Sequence, residues 1–433
     1  MSTLLSGATL LHLDPPGVER ADLRVTGGII EEVGPDLAAR PGDERVELPG
    51  ARIMPGLVNA HHHLYSALAT GMPMPEVAPA SFPELLEQVW WRMDQALDLS
   101  SVWACGLVGG LAALRAGVTT VVDHHASPGC IAGSLLTLDQ ALDEVGLRRV
   151  LCYEVTDRGG PERAAAGLRE HRSLLQAGRA DGTRAALIGG HASFTLGDDT
   201  IRAMVALAEE AEVGLHIHVA EAVDDARLSG EPVIPRLDRL GALRPGSVFA
   251  HGVHLHADDL ARIHDAGAFL THQPRSNMNN AVGYAPLGRA RANTALGTDG
   301  IGSDLFAELQ VGYFRSQEAG VGWGPDRWLE ALSAGARLAG ASLGVELGRL
   351  RPGAAADLVV LDAWPGPPLS AAGLGAAAVF QMSSADVRHV LVGGRWRLWN
   401  RAPTALNIDV VHAEARAAAN ALWSRMRAAR NRA

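Results

Sequence analysis

The sequence predicts an α/β chain of the (β/α)8 barrel type, carrying a small β-sandwich built from both chain ends, and three observations carry that prediction. Eight apolar, β-rich runs recur between about Gly56 and Gly348 with helical patterns between them. Six of the eight finish on a histidine or an acid that is a candidate site residue, and barrels present their chemistry at the carboxyl ends of their strands. The segments before and after this region share another texture, in which apolar and polar residues alternate between glycine-marked turns.

Taken in order, residues 1–55 contain "ADLRVTGGIIEEVGPDL", which reads as short antiparallel strands. The eight runs follow: "RIMPGLVNAH", "VTTVVDHH", "RRVLCYEV", "AALIGGH", "GLHIHVAE", "SVFAH", "AFLTH" and "TALGTD". The opening texture returns over 349–408 in "ADLVVLD" and "VRHVLVGGRWRL". Residues 1–55 and 349–408 are therefore expected to form one composite β-domain around a barrel at 56–348. The tail, 409–433, is alanine-rich with Trp423 and Met426 on one face, and reads as a packing helix.

Composition narrows the function. A net charge of −10 over 433 residues, with no sizeable basic cluster, argues against nucleic acid or an anionic membrane and for a small-molecule substrate. No basic leader with an apolar core opens the chain and no run approaches the roughly 20 apolar residues of a span, so a soluble cytoplasmic protein is expected. Cys105, Cys130 and Cys152 lack metal-site spacing and read as buried thiols. All 38 basic residues are arginine, which excludes Schiff-base, phosphate-loop and carboxylated lysines.

In "NAHHHLY", His61 and His63 are two apart at a strand end, so the period of two puts both imidazoles on one face and turns His62 away. In "LHIHVAE", His218 completes a set of three and Glu221 sits three residues on, where the strand yields to loop, as a proton shuttle would. A solvated acid at a helix start is the plainer reading of Glu221. His216 shares His218's face one layer deeper and reads as an interior histidine. His251, His272 and Asp299 follow at intervals of about one βα repeat, so each repeat delivers a polar group to one rim; alone, Asp299-Gly300 would read as a turn. His254, His256 and His264 read as surface residues. Three imidazoles and one carboxylate, His61, His63, His218 and Asp299, suit one divalent cation with a position left for water. Zinc is preferred and ferrous iron would also be held. Glu154 is the one carboxylate placed to serve a second metal, and a single-metal centre is expected.

Given those residues, the chain resembles the amidohydrolase superfamily, in the branch of purine and pyrimidine deaminases and triazine chlorohydrolases. Through "WWRMDQALD", "VVDHHASP", "RSNMNNAVGY" and "LGTDGIGSD" it looks most similar to the SsnA-type aminohydrolases. The resemblance spans nearly the whole chain. It implies cation binding by His61, His63, His218 and Asp299, proton transfer by Glu221, and a contact from His251 to the attacking water or reacting group. His191 is then expected to reach the substrate, with Arg275 to Tyr284 forming part of the pocket wall, so His191, His272, Arg275 and Asn277 are the expected substrate contacts. A homodimer is compatible with the family.

Two departures bear on specificity. Many deaminases carry Leu-x-Arg-Gly after the first histidine motif, and this chain has Leu68, Ala69, Thr70 and Gly71; where they have His-Asn-Pro it has His272, Gln273 and Pro274, followed by Arg275. Arg275 reads equally as a clamp for a substrate carboxylate or carbonyl and as a structural ion pair. Trp90 and Trp91 read as core residues or as a lid. The expected reaction is attack of cation-activated water on an electrophilic ring carbon with loss of an amino group, Asp299 acting as base. Hydrolytic dechlorination and cyclic amide hydrolysis are its chemical rivals, and an inactive scaffold is the rival outside enzymes.

Overall fold

The computed structural model describes residues 2–178, 181–363 and 366–430, with side chains to 428. The end of the expected packing helix, 431–433, lies outside the described residues.

The chain is an α/β protein with parallel sheets at its centre. The first runs form a parallel sheet of Leu57–His62, Val118–His125, Arg148–Tyr153 and Arg184–Ala186. A second parallel sheet holds Ile188–Ala192, Leu215–Val219, Val248–His251, Phe269–His272 and Thr294–Leu296. The fourth run, "AALIGGH", is divided between the two, pairing first with Arg148–Tyr153 and then with Leu215–Val219. Isolated parallel bridges join Val155 to Gly190 and His62 to Asp299. Burial explains the sequence pattern. Leu57–His62 and Val118–His125 are buried at every position, as strands covered on both faces must be, and they lack the alternation of a one-sided sheet.

The chain ends fold together. A seven-stranded sheet runs in the order Ala402–Pro403, Arg395–Trp399, Val387–Val392, Leu358–Leu361, Arg52–Pro55, Thr9–Leu13 and Pro16–Arg20. A four-stranded sheet holds Ile29–Gly34, Asp22–Thr26, Ser2–Ser6 and Asp43–Glu47. Leu5, Leu23 and Ile30 of the smaller sheet share one core with Leu10, Ile53 and Val360 of the larger. This core is tied to the parallel sheets by a bidentate ion pair, with Arg148 Nε and Nη2 donating to Asp357 at 2.8 and 2.9 Å, both side chains nearly closed to solvent.

The terminal helix, Ile408–Arg430, buries Leu422 and Met426. Trp423 Nε1 donates to the Leu68 carbonyl at 3.0 Å, and Arg425 Nε to the Ala96 carbonyl at 2.6 Å. It therefore braces both ends of the segment between the first parallel strand and the helix Leu99–Arg115. Within that segment Phe82–Leu85 and Trp91–Ala96 are α-helical, and Leu86–Trp90 between them is a π-helical turn, a form found mostly at functional sites. No single helix among the described residues is long and apolar enough to cross a membrane.

Candidate metal centre

His61 ends the first strand's inward face, His63 follows two residues on, and His218 and Asp299 arrive from the fifth run and the last. One ligand atom from each lies within 4.8 Å of the others. His63 Nδ1 donates to the His124 carbonyl and His218 Nδ1 to the His191 carbonyl, each at 2.6 Å. Those bonds fix the tautomers, so both Nε2 atoms of the neutral rings carry lone pairs, and they face each other 3.1 Å apart. Asp299 Oδ1 stands 3.0 Å from His63 Nε2 and 3.5 Å from His61 Nε2, and His61 Nε2 is buried without a hydrogen-bond partner. Opposed acceptors in a buried site repel unless a cation lies between them. Donor atoms about 2.1 Å from a zinc ion at tetrahedral or tighter angles lie about 3.0–3.5 Å apart, so the spacing fits a small divalent cation.

Neighbouring groups fix the rings. His61 Nδ1 is 2.8 Å from His216 Nε2, which gives the deeper histidine the interior role expected of it. His62 turns away to the Asp299 carbonyl and Thr298, as the strand period requires. Asp299 Oδ2 accepts from Ser276 Oγ at 2.5 Å. Backbone approach is close as well: a side chain at Gly297 would meet the His61 backbone at 2.7–2.8 Å. Ala220, His251 and Asp299 all adopt left-handed backbone, with φ of 47°, 72° and 55°, and such strain gathers at functional sites.

The electrostatics follow from burial and proximity. Burial opposes charge on every group here, but the two imidazoles beside Asp299 hold its carboxyl well below the usual range. Burial also opposes charge on His63, yet without a cation beside it Asp299 outweighs burial and lifts that imidazole to about 9; a cation in the cluster would take the place of that proton on Nε2. Burial raises Glu221 to about 7 against the opposing pull of His251. Glu221 Oε2 lies 3.6 Å from His251 Nε2, and His251 Nδ1 donates to Asn277 Oδ1 at 2.9 Å.

The cluster opens into a cleft of about 650 Å3, counting its mouth. His63, His191, His218, Glu221, His251 and Asp299 line it, together with Ser276, Asn279 and Asn280 from the expected wall segment. Trp90, Trp91, Phe82 and Leu86 cover another side, so both tryptophans are wall residues, and Trp90 also packs against the main core. Glu154 also lines the cleft, a placement that the sequence suggested only for a second metal. It accepts from Arg158 Nη2 at 2.7 Å, and Arg158 in turn lies 4.2 Å over the Trp91 ring.

Three expected substrate contacts sit elsewhere than the cleft wall. Arg275 is paired, its Nε donating to buried Glu308 at 2.7 Å and its Nη2 to the Gly302 carbonyl at 2.7 Å. His272 is fully buried beside Tyr284 and Trp328. Asn277 is buried and spends its carbonyl oxygen on His251. His191 alone of the four lines the cleft, with Nδ1 2.8 Å from Thr195 Oγ1. His264, expected at the surface, is buried, and its Nε2 accepts from the Arg291 backbone at 3.2 Å.

Parallel strands whose carboxyl ends bring three imidazoles, a carboxylate and a protonatable glutamate to one cleft define a class, that of divalent-cation hydrolases. Residues 52–397 match the model of the amidohydrolase family, and the chain belongs to that family. It is 29% identical to a 5'-deoxyadenosine deaminase of Methanothermobacter thermautotrophicus, over 91% of this chain and 92% of the relative. It is 31% identical to an 8-oxoguanine deaminase of Pseudomonas aeruginosa, over 92% and 93%. Among solved structures, a zinc-bound adenosine deaminase from Xanthomonas campestris superposes with a TM-score of 0.84 at 22% identity, covering 98% of each chain. Zinc-bound atrazine chlorohydrolase from Arthrobacter aurescens gives 0.82 at 21%, covering 96% of this chain and 100% of that one.

Proposed function

We propose that the protein is a zinc-dependent deaminase that removes an amino group from a nitrogen heterocycle. The observation that carries this reading is the convergence of His61, His63, His218 and Asp299, with Glu221 and His251 on the open side. The chain's relatives, deaminases of 5'-deoxyadenosine and of 8-oxoguanine, support amine loss from a ring carbon over other hydrolyses. The donor set, three borderline nitrogens and one oxygen, favours zinc. The same reading takes the two parallel sheets as one closed eight-stranded barrel over 56–348. Residues 1–55 and 349–408 form its companion β-sandwich, and 409–433 the brace.

His61, His63, His218 and Asp299 would hold the cation, which when bound supplies the Lewis acidity that brings the pKa of water towards about 7. Asp299, kept ionised by its two imidazoles, accepts the proton of the attacking water. Glu221 is raised to about 7 and so holds a proton near neutrality, which it donates to a ring nitrogen; the water proton held by Asp299 passes to the departing amine, and the hydroxyl proton left on the carbon returns to Glu221 as the carbonyl forms. His251, held by Asn277, faces the reacting carbon and stabilises the charge that develops there. His191 and the Trp90–Trp91 wall position the ring.

The test is a screen for ammonia release across purines, pyrimidines, triazines and small amidines, using zinc-loaded and iron-loaded protein of measured metal content. Ammonia with an intact ring is the expected product. Chloride release, or ring opening, from every productive substrate would replace deamination by one of the chemical rivals.

A further inference from the structure

The cleft has a second lobe. A recess of about 340 Å3, counting its open side, adjoins it and shares five of its wall residues, Phe82, Leu86, His191, His218 and Glu221. Beyond these the lobe is walled by Pro83, Ala192, Phe194 and Ala222, with Asp224 and Asp225 at its far end. Neither acid is a free anchor. Asp224 pairs with Arg227, and Asp225 is buried, raised to about 6 by that burial, and accepts from the Ala220 backbone at 2.7 Å. Among the described residues no arginine lines the side lobe, and the chain has no lysine. An anionic substituent there would therefore meet the carboxyl groups of Glu221, Asp224 and Asp225 with no cationic side chain on the lobe's own wall.

We infer that the substrate is an uncharged heterocycle bearing an uncharged, largely apolar substituent, and that this lobe holds the substituent beneath Phe82 and Pro83. The inference rests on the deaminase reading for the ring and adds what the ring carries. Its geometry is direct: Glu221 and His191 stand where the lobes meet, so a ring with its reacting carbon at the cation has its flank at the lobe's entrance. Between the polar groups at its entrance and the two acids at its far end, the lobe is walled by Phe82, Pro83, Leu86, Ala192, Phe194 and Ala222, which reward burial of apolar surface.

The test is a chain-length series on zinc-loaded protein: hydrogen, methyl, propyl and pentyl on N9 of adenine, N1 of cytosine and the exocyclic amine of a triazine. Binding is read by calorimetry and turnover by ammonia release. Affinity should rise about fourfold for each methylene buried, until the lobe is full, in at least one ring scaffold. A carboxyalkyl analogue of equal length should lose that gain. Ala222→Leu, which fills the lobe, should flatten the series, and Phe194→Ala, which enlarges it, should move the optimum to a longer chain. No gain with length in any scaffold, or an unchanged optimum in both variants, overturns the inference. If affinities climb but no scaffold releases ammonia, the deaminase reading falls and the lobe stands; ammonia release indifferent to chain length does the reverse.

Discussion

Tautomers decide more than distances at this centre. His63 and His218 are fixed by carbonyls at Nδ1, which leaves their Nε2 atoms turned to each other and to Asp299. Glu221 has the opposite character, a carboxyl that burial keeps protonated to about 7. Replacing it by glutamine keeps size and polarity but removes the transferable proton. Glu221→Gln is expected to retain its metal, measured by elemental analysis, while kcat falls by about 10²–10⁴. Near-normal turnover would remove Glu221 from the mechanism. The pH profile follows with a definite sign. The protonated form is the active acid and its pKa is raised, so activity is present below about 7 and declines as pH rises through it, by about tenfold per unit in kcat/KM. A plateau extending to pH 9 would contradict that assignment. The convergence of His61, His63, His218 and Asp299 was legible in the sequence, because a strand period of two and a repeat of one βα unit project side chains predictably. The substrate contacts were not: Arg275 offers the same guanidinium to a carboxylate of a substrate or of Glu308, and only folding decides which is nearer.

At the scale of elements, the segment from Phe82 to Ala96 shapes the cleft without belonging to the parallel sheets. Its wall residues Trp90 and Trp91 sit at the junction of a π-helical turn and an α-helix. Arg158 holds this wall from the strand side, stacked 4.2 Å over Trp91, bonded to Glu154 at 2.7 Å and 3.8 Å from buried Asp94. Arg158→Met keeps much of the stacking volume but removes the guanidinium from Glu154, leaving it only His124 at 3.5 Å. It is expected to raise KM severalfold, to change kcat about twofold or less, and to speed proteolysis within Phe82–Ala96. A fall in kcat with KM unchanged would instead place Arg158 in the chemical step. The sequence announced two tryptophans after a proline-marked loop and left open whether they pack inward. Their helical spacing is common to a core face and a pocket wall, and the difference is made by what lies opposite.

For the molecule as a whole, the two chain ends share one core and reach the parallel sheets through the Arg148–Asp357 pair. Asp357→Ala strands a buried guanidinium, and its expected cost is about 3–5 kcal/mol, read as a lowered Tm with the metal content of the surviving native protein unchanged. A cation held by the proposed ligands would contribute to stability as well, because those residues come from stretches far apart in the chain and assemble only in the folded state. Chelation is expected to lower Tm, by an amount equivalent to about 2.7 kcal/mol when free metal had stood at 100 times its Kd. An unaltered Tm after verified metal removal would mean that the four donors do not share an ion.

The sequence by itself determined the parallel βα architecture, the two-ended β-rich segment and the four donors, since each is written in short-range periodicity and in the intervals between runs. Tertiary structure alone decided that Arg275 closes on Glu308, that Asn277 serves His251, that Trp91 faces the cleft, and that a side lobe opens beside Glu221. Those outcomes depend on which surfaces meet after distant segments pack. A one-dimensional pattern fixes the direction a side chain leaves its own strand or helix, but not the partner it finds there.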